Sequence, residues 1–168
     1  MVDLKPLTSR QDKRLYLKYV NKFRKDYFTD ADPQDMQDVN YALENNILCL
    51  LILLNNKVIG MLEATPGNVY ATKVLNIATI YIDKKYRKQG IAKQVYKFME
   101  SFIDIALHIE QSNFAKNIDK FINCGFNFYN DMKNTDNVDH RQYDEKTYVL
   151  YTKQHIDAFK PILVKEIA

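Results

Sequence analysis

The sequence predicts an α/β fold in one domain, built on a mixed central sheet of six to seven strands flanked by about four helices. Three observations carry this reading. Strand-like and helix-like hydrophobic patterns interleave along the chain; the longest apolar run, ILCLLILL at 47–54, has the length of a buried strand; and a long strand pattern ending near Ile82 is followed by a helical pattern and a further strand. That last order produces a parallel strand pair joined by a helical crossover.

A chain of 168 residues is long enough for one real core and too short for two comfortable ones. Residues 1–168 are therefore read as a single domain, with 155–168 a C-terminal tail or short helix.

Residues 2 to 7 predict a short first strand. Leu15, Leu17, Val20, Phe23 and Phe28 then recur at near-helical spacing behind Ser9, a suitable N-cap. A second helix is expected from Pro33 through QDMQDVNYALEN, because proline suits a first helical position, with Asn45 and Asn46 ending it. Two strands follow around Asn55 and Asn56, residues that tolerate the positive φ of a tight hairpin. Pro66, Gly67 and Asn68 predict a turn, and VYATKVLNIATIYID a long strand. Ile91, Val95, Phe98, Met99, Phe102 and Ile103 fall on one face of a helix. DIALHIEQ is a strand; Phe114, Ile118, Phe121 and Ile122 mark another helix, closed by Gly125. FNFY, an acidic loop and the strand TYVLYT complete the order.

Composition excludes several classes. With 46% hydrophobic and 12% aromatic residues, the chain is not a disordered one. The first residues, MVDLKPLTSRQDKR, carry charge from Asp3 onward and resemble no secretory signal. An eight-residue apolar run is far short of the roughly 20 residues needed to span a bilayer, so no membrane association is expected. Cys49 and Cys124 lack C-x-x-C spacing and the density of a disulfide scaffold, which predicts a reduced, cytoplasmic protein. A net charge of +3 does not indicate a strongly basic nucleic-acid binder.

The charges are, however, segregated. Lys84, Lys85, Arg87, Lys88, Lys93 and Lys97 lie together with no acid among them. Asp30, Asp32, Asp35 and Asp38 form an acidic stretch, and Asp136, Asp139, Asp144 and Glu145 another. The basic stretch sits between a strand and a helix. The first N–H groups of a helix have no internal partners and carry partial positive charge, so they bind phosphate oxygens. Gly90, without a Cβ, lets the backbone approach an anion, and Ala92 keeps the next turn shallow. Arg87, Lys88 and Lys93 add charge. The stretch suits a pyrophosphate, yet it has neither the G-K-[ST] of a nucleotide P-loop nor a G-x-G-x-x-G.

The pattern R-x-x-G-x-A formed by Arg87, Gly90 and Ala92 resembles the acyl-CoA-binding motif of the GNAT superfamily of N-acetyltransferases. The order of elements is similar to that superfamily over roughly residues 2–152, and FINCGF resembles its late Y-x-x-x-G-F element with Phe121 in place of the tyrosine. The resemblance implies a GNAT-like fold and acetyl-CoA as co-substrate, with no metal. It implies that backbone at Ile80, Tyr81 and Ile82 holds the pantetheine arm, and that the amides of Lys88, Gln89, Gly90, Ile91, Ala92 and Lys93, with Arg87, hold the pyrophosphate. Asn113 matches an asparagine that contacts the cofactor arm.

The implied reaction is transfer of an acetyl group to a primary amine by direct attack in a ternary complex. That needs a base to free the amine, an oxyanion-stabilising donor and an acid for the leaving thiolate. His108 occupies the position where relatives place a glutamate base, and its ordinary pKa range suits that task. Glu110 lies on the same strand face two residues on, and Glu63 is on a strand that could border the acceptor. The sequence does not choose among them. Phe121 cannot donate a proton, which leaves Tyr129, Tyr81, Tyr143 or water as the acid.

In the family the acceptor is flanked by the segments that are acidic here, so a cationic amine is expected, on a small molecule or a protein. A homodimer is compatible with the sequence. Two other classes stay open: a non-catalytic acyl-CoA-binding module, favoured by Phe121, and a tRNA-directed acetyltransferase using Lys13, Arg14, Lys18, Lys22, Arg24 and Lys25 as a phosphate-contacting face. Those six read more simply as the solvent side of an amphipathic helix.

Overall fold

A computed structural model of the chain describes residues 1–28, 30–69, 72–100, 105–110, 126–129 and 147–152. Two compact units divide it, one formed by Met1–Thr65 with Ala78–Val95, the other by Pro66–Ile77 with the residues from Tyr96 onward.

In the first unit, β1 (Val2–Pro6) lies antiparallel to β2 (Leu48–Leu54), with Leu4 opposite Ile52. Helix α1 (Arg10–Tyr27) begins at Ser9 as expected: the Ser9 side chain accepts from the Asp12 amide while Asp12 accepts from the Ser9 amide, a reciprocal cap. Helix α2 (Met36–Glu44) starts later than Pro33. Asp35 accepts from the amides of Gln37 and Asp38, and Asp38 accepts from the Asp35 amide. This cap satisfies two orphan donors, which outweighs the proline's preset φ. Asn45 and Asn46 end α2, Asn46 at φ +61°.

Strands β2 and β3 (Lys57–Val69) form the expected hairpin, with Asn55 and Asn56 at φ +49° and +65°. The pairing shifts after Ile52, which faces Gly60 while Leu53 faces Val58, so Ile59 is the extra residue of a bulge. Past Thr65, the expected turn at Pro66, Gly67 and Asn68 is instead part of β3, which runs to Val69. Proline's φ is compatible with extended chain, and its missing N–H matters only where a ladder bond is needed.

The core of this unit explains why β2 reads as a continuous apolar run. Cys49 and Leu51 pack with Tyr16, Tyr19 and Val20 of α1, Val39 of α2, Met61 of β3 and Tyr81 of β4 (Thr72–Ile82). Leu50 and Ile52 alternate to the other face and are also buried, so the strand is covered on both sides.

After β4 come a short 3₁₀ turn (Lys84–Tyr86) and α3 (Ile91–Glu100), in which Ile91, Val95 and Met99 are buried as the periodicity predicts. In the second unit, Leu75 and Asn76 of β4 pair in parallel with Ile105 and Ala106 of β5 (Ile105–Glu110), the expected crossover pair. Strand β7 (Thr147–Thr152) is antiparallel to β5 and to β6 (Phe126–Tyr129). Phe102, Ile103, the helix expected at 114–122, the acidic loop and the tail 155–168 lie outside the described residues.

Candidate functional site

The turn from Asp83 to Gly90 is shaped by its own residues. Asp83 donates its N–H to the Ile59 carbonyl of β3 at 2.9 Å, and its side chain caps the 3₁₀ turn. Lys88 then adopts φ +61° and Gly90 φ +72°. Two left-handed residues two positions apart reverse the chain sharply, which glycine does freely and lysine only under constraint. The Gln94 N–H donates to the Gly90 carbonyl, so Ile91, Ala92 and Lys93 supply the amides of the first helical turn, where an α-helix offers no internal acceptor.

Space and charge at this point fit a pyrophosphate. A Cβ placed on Gly90 would meet nothing within 4 Å, so the backbone is open to an approaching group. Lys88, Gln89, Gly90 and Lys93 are exposed, Ile91 buries its side chain in the core, and Ala92 is intermediate. Backbone amides beside exposed lysines are a donor set for phosphate oxygens.

Arg87 is placed differently from Lys88 and Lys93. Its Nε donates to the Ile82 carbonyl at 2.8 Å, its guanidinium lies 5.1 Å from the Tyr81 ring centre, and Nη2 is 3.9 Å from Asp26. The Tyr81 hydroxyl donates to Asp26 at 3.0 Å. Burial and the Asp26 carboxylate push the Tyr81 phenol up to about 12, which makes it a reluctant proton donor. Asp26 is held below the usual carboxylate range by that hydroxyl, helped by Lys84 and Arg87. Ile80 and Ile82, the remaining residues expected at the arm, are half-buried in β4.

Glu63 accepts from the Tyr16 hydroxyl at 3.2 Å. It lines a cavity of about 100 Å³ together with Val20, Phe23, Arg24, Gln34, Met61 and Thr79, room for about three waters at their liquid volume. Cys49 is its cross-strand partner; burial pushes that thiol up, and burial with the Glu63 charge pushes the Tyr16 phenol well above its ordinary value.

His108 and Glu110 lie on β5, where they pair with Val149 and Thr147. Tyr129 lies on β6, also opposite Val149. Asn113 and Tyr143 fall outside the described residues. No group of three or more potential metal ligands occurs among the described residues, and no helix among them is long and apolar enough to cross a membrane.

Four features escaped the sequence reading. Lys88's positive φ carries no sequence signal. Asp26 does carry a faint one: it stands one helical turn after Lys22, so both lie on one face of α1. Tyr16 looks like an ordinary core residue of α1. Gly60 is an isolated glycine in a strand, the usual mark of close backbone approach; a Cβ there would fall 2.0 Å from the Tyr81 carbonyl oxygen.

The family model described as the acetyltransferase (GNAT) family matches residues 17–115. No curated protein matches the sequence. Among solved structures, an acetyltransferase from Thermus thermophilus is 18% identical, with a TM-score of 0.59 over 89% of this chain and 96% of that one. A spermidine N-acetyltransferase from Vibrio cholerae, in complex with CoA and spermine, is 17% identical, with a TM-score of 0.57 over 89% and 94%. A ribosomal-protein-alanine N-acetyltransferase from Brucella melitensis is 14% identical, with a TM-score of 0.58 over 89% and 98%. These similarities establish a shared fold.

Proposed function

Because the chain belongs to the acetyltransferase (GNAT) family and is thus an acyltransferase, we propose that it acetylates a primary, cationic amine from acetyl-CoA by direct attack in a ternary complex. The observation that carries the cofactor assignment is the open turn at Gly90, with φ +72° and no atom within 4 Å of a Cβ placed there. The amides of Lys88, Gln89, Gly90, Ile91, Ala92 and Lys93 would hold the pyrophosphate, and backbone at Ile80, Tyr81 and Ile82, with Asn113, the pantetheine arm. Acetyl-CoA supplies an acetyl group already activated as a thioester.

The chain's own residues must bind the amine and take its proton. Among Glu63, His108 and Glu110, a cavity beside Glu63 supports that carboxylate as the acceptor of the proton, with Tyr16 holding one oxygen. Tyr129 is retained as the acid. For the charge of the amine, the support is Asp30 and Asp32 between α1 and α2. Asp35 and Asp38 contribute less, because both are committed to the α2 cap. The Vibrio relative's complex with spermine makes polyamines a first class to try, and protein amines the second.

The same reading takes residues 1–168 as one domain whose mixed sheet has six to seven strands and about four helices, in a cytoplasmic protein whose Cys49 is a buried free thiol. A tRNA acceptor is disfavoured. Of the six cations on α1 that would face it, Lys13 donates to Asn40, Lys22 pairs with Asp83 and Arg24 donates to the Asp32 carbonyl.

Calorimetric titration of acetyl-CoA tests the reading, with Gly90→Trp to block the turn and Gly90→Ala as the control for φ strain alone. Binding that survives in Gly90→Ala and disappears in Gly90→Trp is expected, followed by thiol release with cationic amines. No heat from the folded wild type would overturn the cofactor assignment; faster turnover of neutral or anionic amines would overturn the charge assignment.

A further inference from the structure

Helix α1 reaches the turn at two points one helical turn apart. Lys22 Nζ lies 3.1 Å from Asp83 Oδ2, and Asp26 receives three groups from the far side: the Tyr81 hydroxyl at 3.0 Å, Lys84 Nζ at 3.4 Å and Arg87 Nη2 at 3.9 Å. Asp26 is an exposed residue whose side chain keeps 22% of its own exposure, and its two carboxylate oxygens are shared among these three partners. Arg87 is held from three directions, by Asp26, by the Ile82 carbonyl and by the face of Tyr81. A guanidinium fixed in this way orients the chain that carries it.

Resting on the acetyl-CoA reading, we propose that Asp26 is a positioning residue for the phosphate-binding turn, acting through Arg87 and Lys84, while the positive charge that meets the phosphates comes from Lys88, Lys93 and the backbone amides. Arg87 spans the turn from its middle back to the last residue of β4, so it fixes where the chain leaves the strand. Lys88, the next residue, is the one held at φ +61°. A left-handed lysine costs conformational energy and persists only where its neighbours hold it; Asp26 and the Ile82 carbonyl hold the residue immediately before it. By contrast, Lys88 and Lys93 are exposed, and among the described residues neither has an ion-pair partner.

Electrostatics alone predicts the opposite of this proposal. Removing an anion near a phosphate site should tighten phosphate binding, whereas removing a positioning residue should weaken it. Asp26→Asn decides between them, since asparagine can still accept from Tyr81 but cannot pair with Lys84 and Arg87. The expected result is a 5- to 20-fold weaker Kd for CoA and a comparable loss of inhibition by inorganic pyrophosphate, in a variant that remains folded. Pantetheine, which has no phosphate, should compete equally well with wild type and variant; a general loss of structure would weaken both ligands.

Asp26→Asn combined with Arg87→Gln should be no worse than either alone. Lys88→Gln, unlike Arg87→Gln, should flatten the salt dependence of CoA binding. CoA binding in Asp26→Asn that equals or exceeds the wild type overturns the positioning role and leaves the cofactor reading intact. A folded wild type that fails to bind CoA overturns both.

Discussion

The hydroxyl of Tyr16 on α1 donates to Glu63 Oε2 on β3 across 3.2 Å, joining two residues 47 positions apart. Tyr16 is 2% exposed, so the donor side of the bond is shielded from bulk solvent. Tyr16→Phe keeps the ring and deletes the donor. A loss of about 1.5–3 kcal/mol is expected, the range for a hydrogen bond to a charged group, read by urea denaturation. An unchanged midpoint would mean that the carboxylate finds an equivalent partner.

Glu63 itself is tested by Glu63→Gln. As the proton acceptor it should cost about 10²- to 10⁴-fold in kcat, with the KM for acetyl-CoA unaltered. Full activity would pass the role to His108 or Glu110.

Gly60→Ala places a methyl 2.0 Å from the Tyr81 carbonyl oxygen and 3.1 Å from the Ile82 Cα. Both are backbone atoms, which cannot swing aside, so β4 must move. We expect a loss of about 3 kcal/mol, at the upper end for overpacking, and a raised KM for acetyl-CoA, because the displaced segment leads into the turn proposed to hold the pyrophosphate. Thermal melts and initial rates check the two effects separately.

Acid should weaken the fold through Asp12, which is 4% exposed and accepts from Lys5 at 2.8 Å, from the Thr8 hydroxyl and from the Thr8 and Ser9 amides. The Lys5 contact above all holds its pKa well below the usual carboxylate range. A depressed folded pKa contributes stability that is present above the unfolded value of about 3.9 and is lost as pH falls toward the folded one. Asp12→Asn should therefore be less stable at pH 7 and lose less on acidification below about pH 4. Parallel wild-type and variant curves in that range would contradict this.

Alkali should act through Tyr81. Its pKa is raised to about 12, so its contribution is complete below the ordinary tyrosine value of about 10 and is lost as pH climbs through the folded one. Tyr81→Phe should be less stable than wild type at pH 9, with the gap closing toward pH 12. The phenolate difference spectrum between the two proteins should rise late, near that pH.

Much of this was legible in the sequence, for identifiable reasons. Ser9 with Asp12, the Asn55–Asn56 hairpin and the Ile91, Val95, Met99 stripe are local patterns, fixed by residues a few positions apart. Gly90 and its lysines are equally local, so the glycine turn between β4 and α3 was legible there too. The turn expected at Pro66 failed because a proline's φ suits extended chain as well as a turn. The α2 start was misplaced because the hydrogen-bonded cap at Asp35 outweighed the preset φ of Pro33.

Sequence by itself determined most of the described elements, their order and the glycine-containing turn between β4 and α3, since each depends on backbone preferences and hydrophobic spacing within one segment. Tertiary structure alone decided that Tyr16 meets Glu63, that Gly60 must be bare against Tyr81, and that Arg87 turns inward to Asp26 rather than outward with Lys88. Tyr81 and Asp26 are 55 positions apart. No local propensity encodes such a pair; it forms when α1 buries its apolar face on the sheet and thereby sets which of its polar residues stand over the turn.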